Sequence, residues 1–528
     1  MCSTVMNTNK IFSIIAAAAV SFSLIGCTAK FGEISRDHYN AHNQEMAEDN
    51  LLLGSMFQQL ERSVIVYSDG TYLDSDYQIM YGLCAETWCG YTAPTLSDGK
   101  NSGFLVTDGW HRRMFTVKYE YGMAAYTKLA EFAKQNNLDA QLALGKILKV
   151  ATMHQVTDYY GPIAYSQTGS VSGNLYDTQE EVYKAFFTEL GEAIDVLTPY
   201  ATSGTTIMED YDLVYGGDLA KWVRFANSLR LRLAMRIAYA DATLAQVEAE
   251  KSIAHPFGVI TDNADNAVVS GVGHHPIYEI NVNFNDADCQ INATMDCYLN
   301  GFNDPRKNFY VKNAGDGKIH GVRTGIAPSD WSPYKNTAAK VSAPNATIYK
   351  ICWLNAAEVA FLRAEGAVRG WNMGGTAASF YAEGVTLSFD EWGASGATTY
   401  LANSTSKPAA FQDAVGSNNT SAPSEVTIAW NEGGSTEEKL EKIGTQKWLA
   451  LFPNGAEAWA EYRRLHYPKI LKPVKNFNSD VDDDQQIRRV PYPVSEQSDN
   501  KAGYESGVAA LGGADNAGTR LWWDKKPF

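Results

Sequence analysis

Apolar side chains return every three or four residues along much of this chain, and that period marks helices. Val182, Phe186, Leu190, Ile194 and Leu197 fall on one helical face. Ahead of them, Thr178-Gln179-Glu180-Glu181 has the form of a capping box, and Pro199 is the expected stop. A second helix is predicted after Asp218. Trp222, Phe225, Ala226, Leu229 and Leu233 form its stripe, with Arg224, Arg230, Arg232 and Arg236 largely off it. A third is predicted from about Tyr349 to Val368, with Trp353, Ala356, Ala357, Ala360, Ala364 and Ala367 inward and Gly370 at its end. Pro453-Asn454-Gly455 reads as a turn between two more helices, and Asp108 to Val156 reads as mostly helical.

Between these segments lie polar stretches rich in Gly and Ser, such as Val259 to Asn345 and Asn403 to Ser424. No clean run of alternating strands interrupts them. The expectation is therefore an all-α (α-rich) fold with large irregular loops, where binding residues tend to sit. No 34-residue repeat consensus is legible along the chain. Its 528 residues suffice for a large core. The formal charge of −16 argues against nucleic acid as a partner, because phosphates would be repelled.

The first 26 residues read as a signal rather than as fold. Lys10 precedes an apolar run from Ile11 to Ile25, too short for comfortable membrane crossing. The run ends Leu24-Ile25-Gly26-Cys27, the form of a lipobox, which makes Cys27 the expected lipidated N-terminus. Acyl chains would then hold the protein on a membrane. Thr28 to about Asn50 reads as a tether, and 27–528 as a single domain. Cys84, Cys89, Cys289, Cys297 and Cys352 fit no zinc spacing, and a bridge within either close pair stays open.

Catalytic patterns are weak. A glycosidase needs two carboxylates about 5–10 Å apart, and no local pattern singles out a pair. Gly169-Ser170-Val171-Ser172-Gly173 has the letters of a hydrolase elbow but follows no strand. No cofactor is expected. The Asp480 to Asp484 run offers oxygens of the kind calcium takes, yet lacks the Gly and distal Glu of an EF-hand loop and reads as a solvated charge run. Asn227 is expected to satisfy buried backbone or loop groups. Asp304 and Arg306 form a candidate pair, and Arg463, Arg464, Arg488 and Arg489 are expected to pair with acids rather than bind phosphate.

Several strings together resemble one family. They are DYYGPIAYSQ (158–167), YDTQEEVYKAFFTELGEAIDVL (176–197), WVRFANSLRLRLAMR (222–236), LNGFNDPRKNFY (299–310), YKICWLNAAEVAFLRAEGAVRGW (349–371), GTQKWLALFPNGAEAWAEYRR (444–464) and RRVPYPVSE (488–496). In this order, and with the lipobox, they are similar to SusD/RagB-like nutrient-binding outer-membrane lipoproteins. Ala164 stands where that family commonly has Pro. The resemblance implies tetratricopeptide-like helix pairs with loops forming a binding face. It also implies a surface-facing lipoprotein that passes a nutrient, an oligosaccharide or polysaccharide, to a SusC-like TonB-dependent outer-membrane transporter, without catalysis. The alternatives are a surface scaffold binding peptide or protein through its helix pairs, and a glycoside hydrolase.

Sugar rings stack their C–H faces on aromatic side chains, so aromatics in loops are the ligand candidates. These are Trp88 and Tyr91 among Gly and Thr, Trp110 after Asp108-Gly109, Phe284 in an Asn-rich loop, and Trp331 and Tyr334 flanking Ser332-Pro333.

Overall fold

The computed structural model describes residues 51–528 apart from 69–73, 95–98, 169–173, 278–279, 281–288, 335–339 and 346. Cys27, Phe284 and the Gly169–Gly173 string lie outside the described residues. The chain divides into two units, Met1–Gly54 and Ser55–Phe528. Of the first, only 51–54 are described, and they are helical.

The second unit is helix-rich, with the tetratricopeptide-like arrangement of helices expected. Its longer helices are α1 (Leu51–Arg62, begun in the first unit), α2 (Ala124–Gln135), α3 (Asp139–Tyr160), α4 (Gln179–Ser203), α5 (Leu219–Arg236), α6 (Ala242–Ala254), α7 (Ala293–Gly301), α8 (Ala356–Val368), α9 (Ala377–Trp392), α10 (Thr436–Leu451), α11 (Gly455–Leu465) and α12 (Lys501–Leu511). Sequential neighbours from α2 to α6 pack on one another. So do α8 and α9, while α10 packs on α8, α9 and α11. Among the described residues there are also three two-stranded antiparallel ribbons. They pair β1 (Thr92–Pro94) with β3 (Cys289–Ile291), β2 (Ala267–Val269) with β6 (Ile351–Leu354), and β4 (Val311–Lys312) with β5 (Ala343–Pro344).

The predicted caps form. Thr178 closes a capping box with Glu181 at α4, and Asp218 accepts from the amides of Ala220 and Lys221 at α5. Pro199 does not stop α4. It sits in the last turns, and the helix ends at left-handed Gly204 (φ 70°), whose N–H meets the Ala201 carbonyl. A proline near the end of a helix removes only one amide, and the helix runs past it to the glycine cap. The expected helix from Tyr349 is corrected too. Residues 351–354 are strand β6, and Asn355 caps α8, accepting from the Glu358 amide at 2.8 Å. The stretch Val259–Asn345, read as loop, contains α7 and four short strands.

Charge is buried at the centre. Arg232 grips Glu358 with Nε and Nη2 at 2.7 and 2.6 Å, and Arg236 reaches Glu457 at 2.6 Å and Glu461 at 3.0 Å. Arg464 holds Glu365 and Glu461, each at 2.6 Å, and Lys447 also reaches Glu461, at 2.8 Å. So α5 is not a simple amphipathic helix: Arg230, Arg232 and Arg236, off its apolar stripe, are interior and set against acids from other helices, while Arg224 is half-buried and reaches Asp265 at 3.3 Å. Arg488 and Arg489 pair with Asp524 and Asp515 as expected. Arg463 forms no ion pair among the described residues. It stacks 3.4 Å over Trp459 and donates to the carbonyls of Asp158 and Arg488, and burial lowers its pKa to about 9. The Asp304–Arg306 pair forms at 2.7 Å, and Asn227 donates to the Gly258 carbonyl at 3.1 Å.

Candidate functional site

Four of the predicted ligand aromatics belong to the core. Trp88 is 2% exposed, Tyr91 0%, Trp331 1% and Tyr334 4%. Trp88 lies flat against His111 at 5.5 Å and donates from its indole to the Asn101 carbonyl. The Tyr91 hydroxyl donates to the Trp448 carbonyl. Trp331 and Tyr334 meet edge to face in a cluster with Val322, Ile326 and Val341. Small polar neighbours in sequence suggested exposure, but Trp88 sits in a helical turn against Trp459, and Trp331 and Tyr334 are covered by strand and loop residues distant in sequence. Trp110 is half-buried in the short helix Asp108–His111.

A cavity of about 240 Å³ lies elsewhere, where β6, the first turn of α8, the end of α9 and the α10–α11 turn converge. None of the five described aromatics predicted as ligand residues lines it. Its aromatic wall includes Tyr77, Tyr81, Phe309, Tyr349, Trp392 and Phe452. Tyr77 and Tyr81 are buried and packed ring to ring at 4.9 Å. Tyr349, by contrast, is 59% exposed, and Trp392 is half-buried with its ring edge-on to Tyr310 at 4.7 Å. The cavity therefore has a fixed inner wall and open rings at its rim.

Hydrogen bonds lock the inner wall. The Tyr77 hydroxyl donates to Glu86, whose carboxyl burial pushes up to about 8. The Tyr81 hydroxyl donates to Gln155 at 3.0 Å and accepts from Lys118 at 3.1 Å. Lys118 also donates to the carbonyls of Ser63 and Val64, and burial lowers its pKa well below the usual lysine range. His275 meets the Tyr77 ring edge-on at 5.1 Å and is lowered to about 3 by burial, so it is neutral at physiological pH.

The polar side of the cavity carries Glu391 and Asn355. The Asn355 side-chain N–H donates to one Glu391 oxygen at 3.0 Å, and that of Asn266 to the other at 3.4 Å. Burial raises the Glu391 carboxyl to about 7, with Lys350 and the two amides acting against it. Glu358 also lines the cavity, but both its oxygens are held by Arg232. Among the described residues, no group of three His, Cys, Asp or Glu is placed to hold a metal ion. The run Asp480–Asp484 is mostly exposed, with Asp484 on Lys472. The five described cysteines are all free thiols.

The sequence reading missed Tyr349, Trp392 and Glu391. Tyr349 was assigned to a helix that begins seven residues later. Trp392 carried a usable signal: an aromatic directly before Gly393, the left-handed cap that ends α9.

Comparison with known proteins agrees with this architecture. The family model described as Susd and RagB outer membrane lipoprotein matches residues 33–524. A chitin-binding SusD homolog from Flavobacterium johnsoniae is 39% identical, covering 90% of this chain and 99% of its own, with a TM-score of 0.85. A SusD homolog from Bacteroides uniformis is 38% identical over 90% of this chain and 99% of its own, with a TM-score of 0.83. One from Bacteroides vulgatus is 34% identical over 91% and 100%, also at 0.83. No curated protein matches the chain. Among the described residues no helix is long and apolar enough to cross a membrane. The chain belongs to the SusD/RagB family of outer-membrane lipoproteins.

Proposed function

We propose that this protein binds an oligosaccharide in the cavity beside β6 and passes it to a SusC-like TonB-dependent transporter, without cleaving it. The observation that carries the reading is the exposed Tyr349 with half-buried Trp392 at a cavity rim in a SusD-family fold. Open aromatic faces suit sugar rings, and the polar side supplies partners for hydroxyls. The 39% identical chitin-binding homolog makes β-linked N-acetylglucosamine oligomers the first ligand class to test. We further propose that Cys27 carries the lipid anchor, that 28–50 is the tether, and that the binding face looks outward from the outer membrane.

A glycosidase reading has little support in the cavity. Two carboxyls line it, Glu358 and Glu391, but the Glu358 side chain is fully buried and both its oxygens are committed to Arg232. A general acid or nucleophile needs a carboxyl that reaches substrate. Calorimetry with N-acetylglucosamine oligomers tests the proposal. Heat of binding that disappears in Tyr349→Ala or Trp392→Ala, with the oligomer recovered intact, supports it. Binding unchanged in both variants overturns the site, and shortened oligomers overturn the non-catalytic reading.

A further inference from the structure

Glu391 is a carboxyl built into the cavity wall without a cationic partner. Its two oxygens meet the amides of Asn355 and Asn266, at 3.0 and 3.4 Å, and no ion pair within 4 Å is formed with it among the described residues. Neutral amide donors orient a carboxylate and leave its charge in place. The charged groups facing it are few. Lys350 lies on the rim, exposed, where water and salt screen its field. Glu358 is neutralised by Arg232, and His275 is uncharged. From the half-buried wall Glu391 acts through less water, so its field in the cavity exceeds that of Lys350. In its own titration burial outweighs Lys350 and both amides and brings the carboxyl near 7, so Glu391 carries its full charge only above that pH.

We infer that Glu391 sets the charge class of the ligand: it accepts hydrogen bonds from uncharged sugars and turns away glycans bearing uronate or sulfate groups. This rests on the oligosaccharide reading of the cavity. A wall that offers an acceptor and a like charge favours hydroxyl and amide N–H donors and penalises a second anion, which is selection by repulsion as much as by fit. The protein's overall charge of −16 adds to the same preference at long range. Linkage gives a signature that a merely structural carboxyl lacks. An anion in the cavity raises the Glu391 pKa further, so rejection is strong where Glu391 is ionised and fades as the pH falls through about 7.

The test uses the full chain in detergent micelles and two matched ligands: an N-acetylglucosamine tetramer, and the same tetramer with its C6 alcohols oxidised to carboxylates. Affinities are measured at pH 8.5 and pH 6 for the wild type and Glu391→Gln, whose side chain keeps an acceptor oxygen. At pH 8.5 the wild type is expected to favour the neutral tetramer by at least ~10-fold, one unit of coupling between the two charges. At pH 6 the gap narrows, and in Glu391→Gln it is small at both pH values. A wild-type gap that does not change between the two pH values, or that survives in Glu391→Gln, overturns the assignment. Equal wild-type binding of both tetramers overturns it as well while leaving the oligosaccharide reading standing. Failure of the neutral tetramer to bind defeats both together. The wild-type pH comparison needs no substitution, so it holds even if Glu391→Gln folds poorly.

Discussion

At the scale of single residues, exposure separates rings that hold the fold from rings free to hold a ligand. Trp222 is fully buried, T-stacked on Tyr215 at 5.3 Å, with its indole N–H on Asp212 at 2.7 Å. Truncating it removes a large buried side chain and strands a partner, so Trp222→Ala is expected to cost about 3–5 kcal/mol in a denaturant titration. Tyr349→Ala removes a ring that is mostly in water, and its unfolding free energy is expected within about 0.5 kcal/mol of the wild type. The helical stripe in the sequence already marked Trp222 as core. Trp88, Tyr91, Trp331 and Tyr334 were not legible in that way, because Gly, Thr and Ser neighbours describe a loop and not what the loop folds against. Titration offers another residue-scale prediction. Glu86 is held near 8 by burial against an ordinary value of 4.5. Between those values the native chain keeps a proton that the unfolded chain has lost, so this carboxyl's contribution to stability falls as pH rises. Other buried groups titrate nearby, so the difference between Glu86→Gln and wild type isolates it. That difference should shift in favour of the variant from pH 4.5 to 8 and then level off. A difference that stays flat from pH 5 to 9 in calorimetric melts would refute the assignment.

At the scale of elements, the legible features were caps and periods, and the illegible one was pairing. Thr178 with Glu181, Asp218 and the Pro453–Gly455 turn delimit helices as their local chemistry dictates. Strand β6 was hidden because Trp353, Ala356, Ala357 and Ala360 happen to continue one helical spacing. What decides against helix at 351–354 is pairing with β2, more than eighty residues earlier in the chain, and Asn355 then begins α8. The cavity shares this origin. It exists because β6, α8, α9 and the α10–α11 turn meet, and no local window contains that meeting. The same long-range logic joins the helices through buried charge. Glu461 of α11 collects Arg236 from α5, Lys447 from α10 and Arg464 of its own helix. Removing Glu461 takes from buried Lys447 the acid it pairs with and one acid each from Arg236 and Arg464, which keep Glu457 and Glu365, so Glu461→Leu is expected to lose about 3–5 kcal/mol in a denaturant titration. Loss of less than about 1 kcal/mol would mean that the network is dispensable to the packing of these helices.

At the scale of the whole molecule, the family assignment supplies a place and the cavity supplies a task. A protein that hands its ligand onward does best with modest affinity. An open site with one exposed ring and one half-buried ring buries little area, so a Kd of roughly 10 μM to 1 mM, about 4–7 kcal/mol, is expected. In the proposed complex with a transporter, retention would come from the partner, because a second contact within one assembly is intramolecular and raises the effective concentration. Ligand that binds only the folded chain also stabilises it by mass action. At ten times Kd the gain is about 1.4 kcal/mol, and it grows only logarithmically beyond. For a chain of this length the accompanying shift in Tm is a degree or two, within reach of a differential scan. The expected outcome is an upward shift in the wild type with N-acetylglucosamine oligomers that follows this logarithm. In Trp392→Ala the shift should disappear while the ligand-free melt stays close to the wild type. A shift that persists in Trp392→Ala and in Tyr349→Ala would place the ligand somewhere other than this cavity. Trp110, half-buried and outside the cavity wall, would be the next ring to replace.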